Sequence, residues 1–239
     1  MKLFRLALAL LLLLGAAGGG ALAQDMASEK RPIDARVTHV KLSGVIHLNV
    51  RQGDAPSLLI LGERQLVDHV ETVQTGDTLH IDTEGRGASM KRSHLRAELV
   101  LPKLRELCSD GIGNSEVSGF SGDELEVMLD GTGSMKLTVD VKRLRANLGG
   151  VGGIQIFVTD GDSVELDLNG AGSVDLNGRS KSLKVDMGGL GSVNAQHFKV
   201  ESAQLDVSGL GSASVYVTRN LALCRFQWKW TAGTVRGRS

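Results

Sequence analysis

Aromatic residues make up only 3% of this 239-residue chain. Before residue 224 the rings are Phe4, Phe120, Phe157, Phe198 and Tyr216. A β-helix enzyme working on polysaccharide would gather carboxylates, Arg or Lys in one groove beside aromatic sugar platforms, and so short a supply of rings counts against one. Cysteine is equally sparse. Cys108 and Cys224 are the only two, they lie 116 positions apart, and they carry no disulfide framework. An oxidising compartment would permit a bridge, but two isolated thiols are the simpler reading. Net charge is lacking as well: 27 Lys and Arg balance 27 Asp and Glu, which excludes the basic footprint of a nucleic-acid binder. Proline contributes 3 residues against 31 glycines.

The long apolar run lies at the N-terminus, over residues 6–14. Lys2 and Arg5 precede it, and glycines and Ala21-Leu22-Ala23 follow it. This is the three-part pattern of a secretory signal peptide over residues 1–23, with cleavage expected after Ala23. The run is short for a membrane anchor, and no Cys follows the site to accept a lipid. Loss of Lys2 and Arg5 takes the net charge from 0 to −2. The expectation is an exported protein, periplasmic or at the cell surface, that meets the membrane only through this segment.

A Gly-x-Gly returns about every twenty residues: Gly111-Ile112-Gly113, Gly131-Thr132-Gly133, Gly150-Val151-Gly152, Gly170-Ala171-Gly172, Gly189-Leu190-Gly191 and Gly209-Leu210-Gly211. The second glycines are 20, 19, 20, 19 and 20 residues apart. A fixed period of this length marks a solenoid, whose coils bury their apolar faces on one another. Six residues before the second glycine stand Leu107, Val127, Ala146, Leu166, Val185 and Leu205, and four before it Ser109, Leu129, Leu148, Leu168, Met187 and Val207. Two after it stand Ser115, Met135, Ile154, Val174, Val193 and Ala213, and four after it Val117, Leu137, Ile156, Leu176, Ala195 and Val215. Period-two alternation on both sides predicts strand, glycine corner, strand and looser corner in every coil. Glycine suits the corner through its access to positive φ. The fold class is therefore all-β, a single-chain parallel β-solenoid, with right-handed winding as the default for parallel crossovers.

Ahead of the repeat, residues 24–36 are polar and read as a flexible leader. Short alternating runs follow at 37–42, 45–50, 58–61, 78–82 and 95–101, and each reads as a strand. Residues 65–73 fit a short helix or another strand, and 85–93 an exposed loop. The strand Val45-Ile46-His47-Leu48-Asn49-Val50 ahead of Gln52-Gly53, then Leu79-His80-Ile81, Leu99-Val100-Leu101-Pro102-Lys103-Leu104 and the train of glycine corners carry a family resemblance. Over residues 37–223 the chain resembles the bacterial family described as putative auto-transporter adhesin, head GIN domain. That resemblance implies an exported β-solenoid of the cell envelope and brings no catalytic residue with it.

Residues 224–239 leave the pattern. The next corner falls due at positions held by Trp228 and Trp230. Trp has the single codon TGG and Lys is AAA or AAG, so Trp228-Lys229-Trp230-Thr231 must read TGG AAR TGG ACN. A one-base shift turns this into Gly, Asn or Ser, then Gly, where the repeat requires its glycines. The expectation is a frameshifted remnant of a seventh coil; the alternative is an authentic divergent cap. A continuation of the repeat in the shifted frame of the gene distinguishes them. A poorly covered last edge would favour self-association.

Five residues before the second glycine, Asp167, Asp186 and Asp206 stand on consecutive coils. Carboxylates at ladder spacing repel, and a hard cation such as Ca²⁺ would relieve them. The plainer reading is a solvated polar face that needs no cofactor. Ser134, Ser173, Ser192 and Ser212 follow glycine pairs, either as a hydroxyl ladder for sugar or, more simply, to satisfy corner backbone groups. Seven before the glycine, Glu106, Glu126, Arg145, Glu165, Lys184 and Gln204 form a ladder of mixed sign that favours stacking. No Gly-x-Ser-x-Gly is present, and the six histidines show no zinc spacing. The function expected is a non-enzymatic binding or adhesion module of the envelope, with a glycan or protein as partner. The alternatives are a polysaccharide-acting β-helix enzyme and a structural scaffold.

Overall fold

The computed structural model describes residues 25–83 and 95–226. The expected signal peptide, the loop at 85–93 and the tail from residue 227 onward lie outside the described residues. The described elements are β1 (Met26–Arg31), β2 (His39–Leu42), β3 (His47–Gln52), β4 (Ser57–Glu63), α1 (Arg64–Val67), β5 (Val70–Thr75), β6 (Thr78–Thr83), β7 (Arg96–Leu101) and β8 (Glu106–Ser109). Six long strands follow: β9 (Ile112–Leu129), β10 (Thr132–Leu148), β11 (Val151–Leu168), β12 (Ala171–Met187), β13 (Leu190–Val207) and β14 (Leu210–Phe226). No helix among the described residues is long and apolar enough to cross a membrane.

Strands β9 to β14 pair in parallel, each on the next, so that every residue lies on its counterpart one coil away. This is the β-solenoid that the glycine period predicts. The looser corner does not break the strand. It is absorbed by register shifts such as Val139/Arg143, Val158/Gly161 and Asp175/Asn177, and these bulges take up the alternation between 19 and 20 residues.

The corner glycines have two causes, and the expected one holds at the second glycine of four pairs: Gly113, Gly133, Gly152 and Gly211 have φ between +152° and +159°. None of Gly111, Gly131, Gly150, Gly170, Gly189 and Gly209 has a φ in the left-handed range. A Cβ on any of them would instead lie 1.9–2.2 Å from a carbonyl oxygen of the coil below. At Gly133, Gly152, Gly172, Gly191 and Gly211 the same distance is 1.7–1.8 Å, again to the corner glycine one coil below. Stacking thus removes every side chain except the central one, and positive φ adds to it at those four second glycines.

All four predicted apolar columns are buried, from Leu107 to Leu205, Leu129 to Val207, Met135 to Ala213 and Val117 to Val215. Volume is balanced within coils. Phe198, fully buried, shares β13 with the small buried residues Ala195 and Ala203, and Phe120 shares β9 with the buried Ser115.

The N-terminal third is threaded out of chain order. β2 pairs in parallel with both β8 and β6, and β3 with both β9 and β7. Residues 39–52 thus form a coil lying between the coil of β6 and β7 and the first Gly-x-Gly coil. Gly44 is its corner, and a Cβ on Gly111 would meet the Gly44 carbonyl. Antiparallel pairs β5–β6 and β4–β7 close this end.

Residues 65–73 hold both expected forms, most of α1 and the start of β5. Within the expected leader the structure differs: Met26–Arg31 is a strand, antiparallel to β4 from Met26↔Glu63 to Arg31↔Leu58. Backbone pairing overrides polar composition here because the edge of β4 needs partners, and Arg64 adds Nε to Asp25 Oδ2 at 2.7 Å. At the other end β14 continues three residues past the expected boundary, with a bulge between Cys224, opposite Asp206, and Phe226, opposite Val207.

Candidate binding surface

Outward residues form columns parallel to the solenoid axis, with coils about 4.8 Å apart. Three of these columns define the surface: an acidic one, a charged one beside a groove, and an apolar crest on the corners.

The acidic column is in register, Asp167 on Asp186 and Asp186 on Asp206. Asn169 Nδ2 donates to Asp167 Oδ1 at 2.6 Å. Partial burial first, then Asp186 and Glu165, push the Asp167 carboxyl above its ordinary range, while Lys184 opposes them. Among the described residues no group of three or more His, Cys, Asp or Glu side chains gathers closely enough to hold a metal ion. The three aspartates stand in file without converging.

The mixed-sign column pairs as its alternation implies. Glu165 accepts from Arg145 Nη2 at 2.9 Å and from Lys184 Nζ at 2.5 Å, and both cations hold its carboxyl below the usual range. Further inter-coil pairs are Lys136–Glu116, Lys142–Asp123, Arg143–Glu124, Arg179–Asp160, Lys181–Asp162 and Arg219–Glu201.

Alongside this column an open groove of about 480 Å³ runs across β11 to β14. Its floor is a file of small polar residues, Ser163 on Ser182, Ser182 on Ser202 and Ser202 on Asn220. Glu165, Lys184, Gln204 and Ala222 flank it. In earlier coils the floor positions are Glu124 and Arg143, which pair with each other. Those coils carry an open groove of their own, about 360 Å³, lined by Glu124 and Arg143 with Glu106 and Glu126, so the change to serine alters the chemistry of the floor rather than opening it. Ser182 Oγ donates to the Asp162 carbonyl at 3.1 Å and Ser202 Oγ to that of Lys181 at 3.4 Å, which leaves both hydroxyl oxygens as acceptors.

This floor is a candidate feature that the sequence pattern did not single out. Its signal was available: Ser163, Ser182 and Ser202 each stand nine residues before a second corner glycine. Of the serines singled out instead, Ser173, Ser192 and Ser212 stack in register on consecutive coils. Ser134 Oγ bonds Asn114 Oδ1 one coil below at 2.8 Å rather than the corner backbone. Among the histidines, His47 Nδ1 accepts the Asn114 backbone N–H at 3.1 Å, and His39 lies 3.2 Å from Asp77. The Cys108 thiol is free and half-buried, and burial foremost raises its pKa.

On the corners, the central residues of the glycine pairs point outward. Ile112, Val151, Leu190 and Leu210 are 44%, 56%, 55% and 60% exposed, with Thr132 and Ala171 between them in the same file.

No curated protein matches the chain. Among solved structures, it resembles a putative adhesin from Parabacteroides merdae with a TM-score of 0.74 and 23% identity, over 83% of this chain and 84% of that one. A putative adhesin from Parabacteroides distasonis gives 0.72 and 23% over the same shares, and a protein of that species described as a putative lipid binding protein gives 0.69 and 21%, over 82% and 84%. At these identities the likeness speaks for the fold. The family described as putative auto-transporter adhesin, head GIN domain, matches residues 37–159 and 155–223, and the chain belongs to it.

Proposed function

We propose that this protein is an exported, non-enzymatic binding module of the bacterial envelope that seats a neutral linear glycan in the groove of β11 to β14. The observation that carries this reading is the file Ser163, Ser182, Ser202 and Asn220, which repeats one small hydrogen-bonding group per coil along an open groove. A polymer with one hydroxyl-bearing unit per coil step makes the same contact repeatedly, and such contacts add. Gln204 and Lys184 offer donors from one side. The family's adhesin description agrees with a binding role.

An array of neutral and acidic linear glycans, followed by calorimetry on the hits, tests the proposal. Ser202→Leu fills the floor with an apolar side chain and should weaken neutral-glycan binding by about tenfold or more, the loss of roughly one 1.4 kcal/mol contact. Its circular dichroism should match that of the unmodified protein. Failure to bind any neutral glycan, or release of new reducing ends from one, overturns the proposal.

A further inference from the structure

The apolar crest does no work inside the fold. Every coil buries its own aliphatic columns, yet Val151, Leu190 and Leu210 stay more than half exposed on bare glycine corners. We infer that the crest of β11 to β14 is a contact surface for a second copy of this chain, packed crest to crest in an antiparallel, two-fold arrangement.

Two observations point to that occupant, and a third sets the strength of the contact. First, both flanks of the crest are uncharged in these coils: Gly149, Asn169, Gly188 and Ser208 on one side, Gly153, Ser173, Ser192 and Ser212 on the other. A like surface can therefore approach without stranding a charge. Second, the crest is self-complementary in size. It reads Val151, Ala171, Leu190, Leu210 along consecutive coils. A two-fold axis between the second and third of these sets Leu190 over the gap at Ala171 of the second copy, and Val151 beside its Leu210. An isologous contact satisfies both copies with one surface. Third, the crest is one side chain wide and about 14 Å long over its three coil steps. That is well short of the roughly 800 Å² per partner of a standard stable interface. The association is accordingly weak and depends on concentration. An anionic lipid surface fits less well, because the column of Asp167, Asp186 and Asp206 runs four residues back from the crest. Pairing would set two outward surfaces on one assembly and raise avidity for any repetitive ligand.

Sedimentation equilibrium from about 10 μM to about 1 mM tests this. The expected result is a mass that rises toward the dimer, with association weakened about tenfold or more in Leu190→Ser/Leu210→Ser. Both changes are at exposed positions, so circular dichroism should be unaltered. Cross-linking fixes the orientation in a Cys108→Ser/Cys224→Ser background. Ala171→Cys mixed with Leu190→Cys should give a disulfide heterodimer faster than either variant alone. A monomer throughout the range, association unchanged by the double substitution, or faster self-linking of Leu190→Cys each overturns the proposal. So does flotation of the monomer with phosphatidylcholine vesicles that the double substitution abolishes.

Discussion

Gly150→Ala and Gly153→Ala place the same methyl group three residues apart at one corner, and the structure gives them opposite outcomes. At Gly150 the added Cβ would lie 2.0 Å from the Gly131 carbonyl oxygen and 2.5 Å from that of Asp130, where real Cβ atoms stay beyond 3.0 Å. Relief requires the corner to lift by about 1 Å, which strains the two backbone bonds it makes downward, Gly150 N–H to Leu129 and Val151 N–H to Gly131, both 2.9 Å. Losing both costs roughly 2–4 kcal/mol, since each is worth about 1 kcal/mol net and a carbonyl left unpaired adds to that. At Gly153 the nearest atom is Ser173 Oγ at 3.4 Å, an ordinary contact, and φ lies outside the left-handed range. Alanine there should stabilise by about 0.4–1 kcal/mol through the unfolded chain. Urea unfolding followed by far-ultraviolet circular dichroism reads the difference as a shift of midpoint at constant slope. Gly150→Ala within about 0.5 kcal/mol of the unmodified protein, or Gly153→Ala equally damaging, would refute the stacking argument.

Phe198→Ala should cost about 3–5 kcal/mol in the same assay, because it opens a cavity in a coil where the buried Ala195 and Ala203 are too small to fill it. Glu165→Gln should cost no more than about 1 kcal/mol at neutral pH, since its pairs with Arg145 and Lys184 are largely solvent-exposed. The Glu165 carboxyl is lowered in the fold, so its contribution is present above the ordinary carboxylate range and fades as pH falls through the lowered value; the cost of Glu165→Gln should fade with it. Asp167 runs the other way. Its raised carboxyl favours the fold at low pH and loses that contribution as pH rises past the raised value, so Asp167→Asn should stabilise at pH 7 and gain nothing at pH 3 in parallel thermal melts.

The solenoid was legible because stacking imposes the same demands on every coil. A buried column such as Leu166, Val185 and Leu205 must stay apolar, and the corner pairs must lack Cβ, so both survive as letters at a fixed offset. The threading of β2 and β3 between neighbouring coils left no such trace. Parallel pairing over short strands is chosen by tertiary fit, and nothing local distinguishes His39–Leu42 lying on β8 from Thr78–Thr83 lying there. Met26–Arg31 was read as a leader because its letters are polar, whereas its ordering comes from backbone bonds to β4, to which composition is blind.

The outward columns were legible in part, and the part missed has a geometric cause. Asp167, Asp186 and Asp206 lie close before a corner glycine, inside the span where the offset is constant. The serine floor lies just beyond the second bend, where bulges such as Val158/Gly161 and Ala195/Lys199 upset a count made forward from the preceding glycine. Counted backward from the following glycine, Ser163, Ser182 and Ser202 align. The same comparison separates what folding requires from what it leaves free. The four interior columns beside the corners stay apolar from the second coil to the last, with Ser109 and Ser115 as the exceptions in the first. Outward columns do not: the floor passes from Glu124 and Arg143 to serine, and the residue three before the second glycine passes from Asp110 and Asp130 to Gly149, Asn169, Gly188 and Ser208. Stacking has no need of that change, because paired charges stabilise the early coils well enough. Both transitions remove charge from one column each in the last four coils, the floor of the groove and the flank of the crest, while Glu165, Lys184 and the file of Asp167, Asp186 and Asp206 keep theirs. Two columns that shed charge in register, without any demand from the core, are the pattern expected where contact with another molecule sets the outward residues.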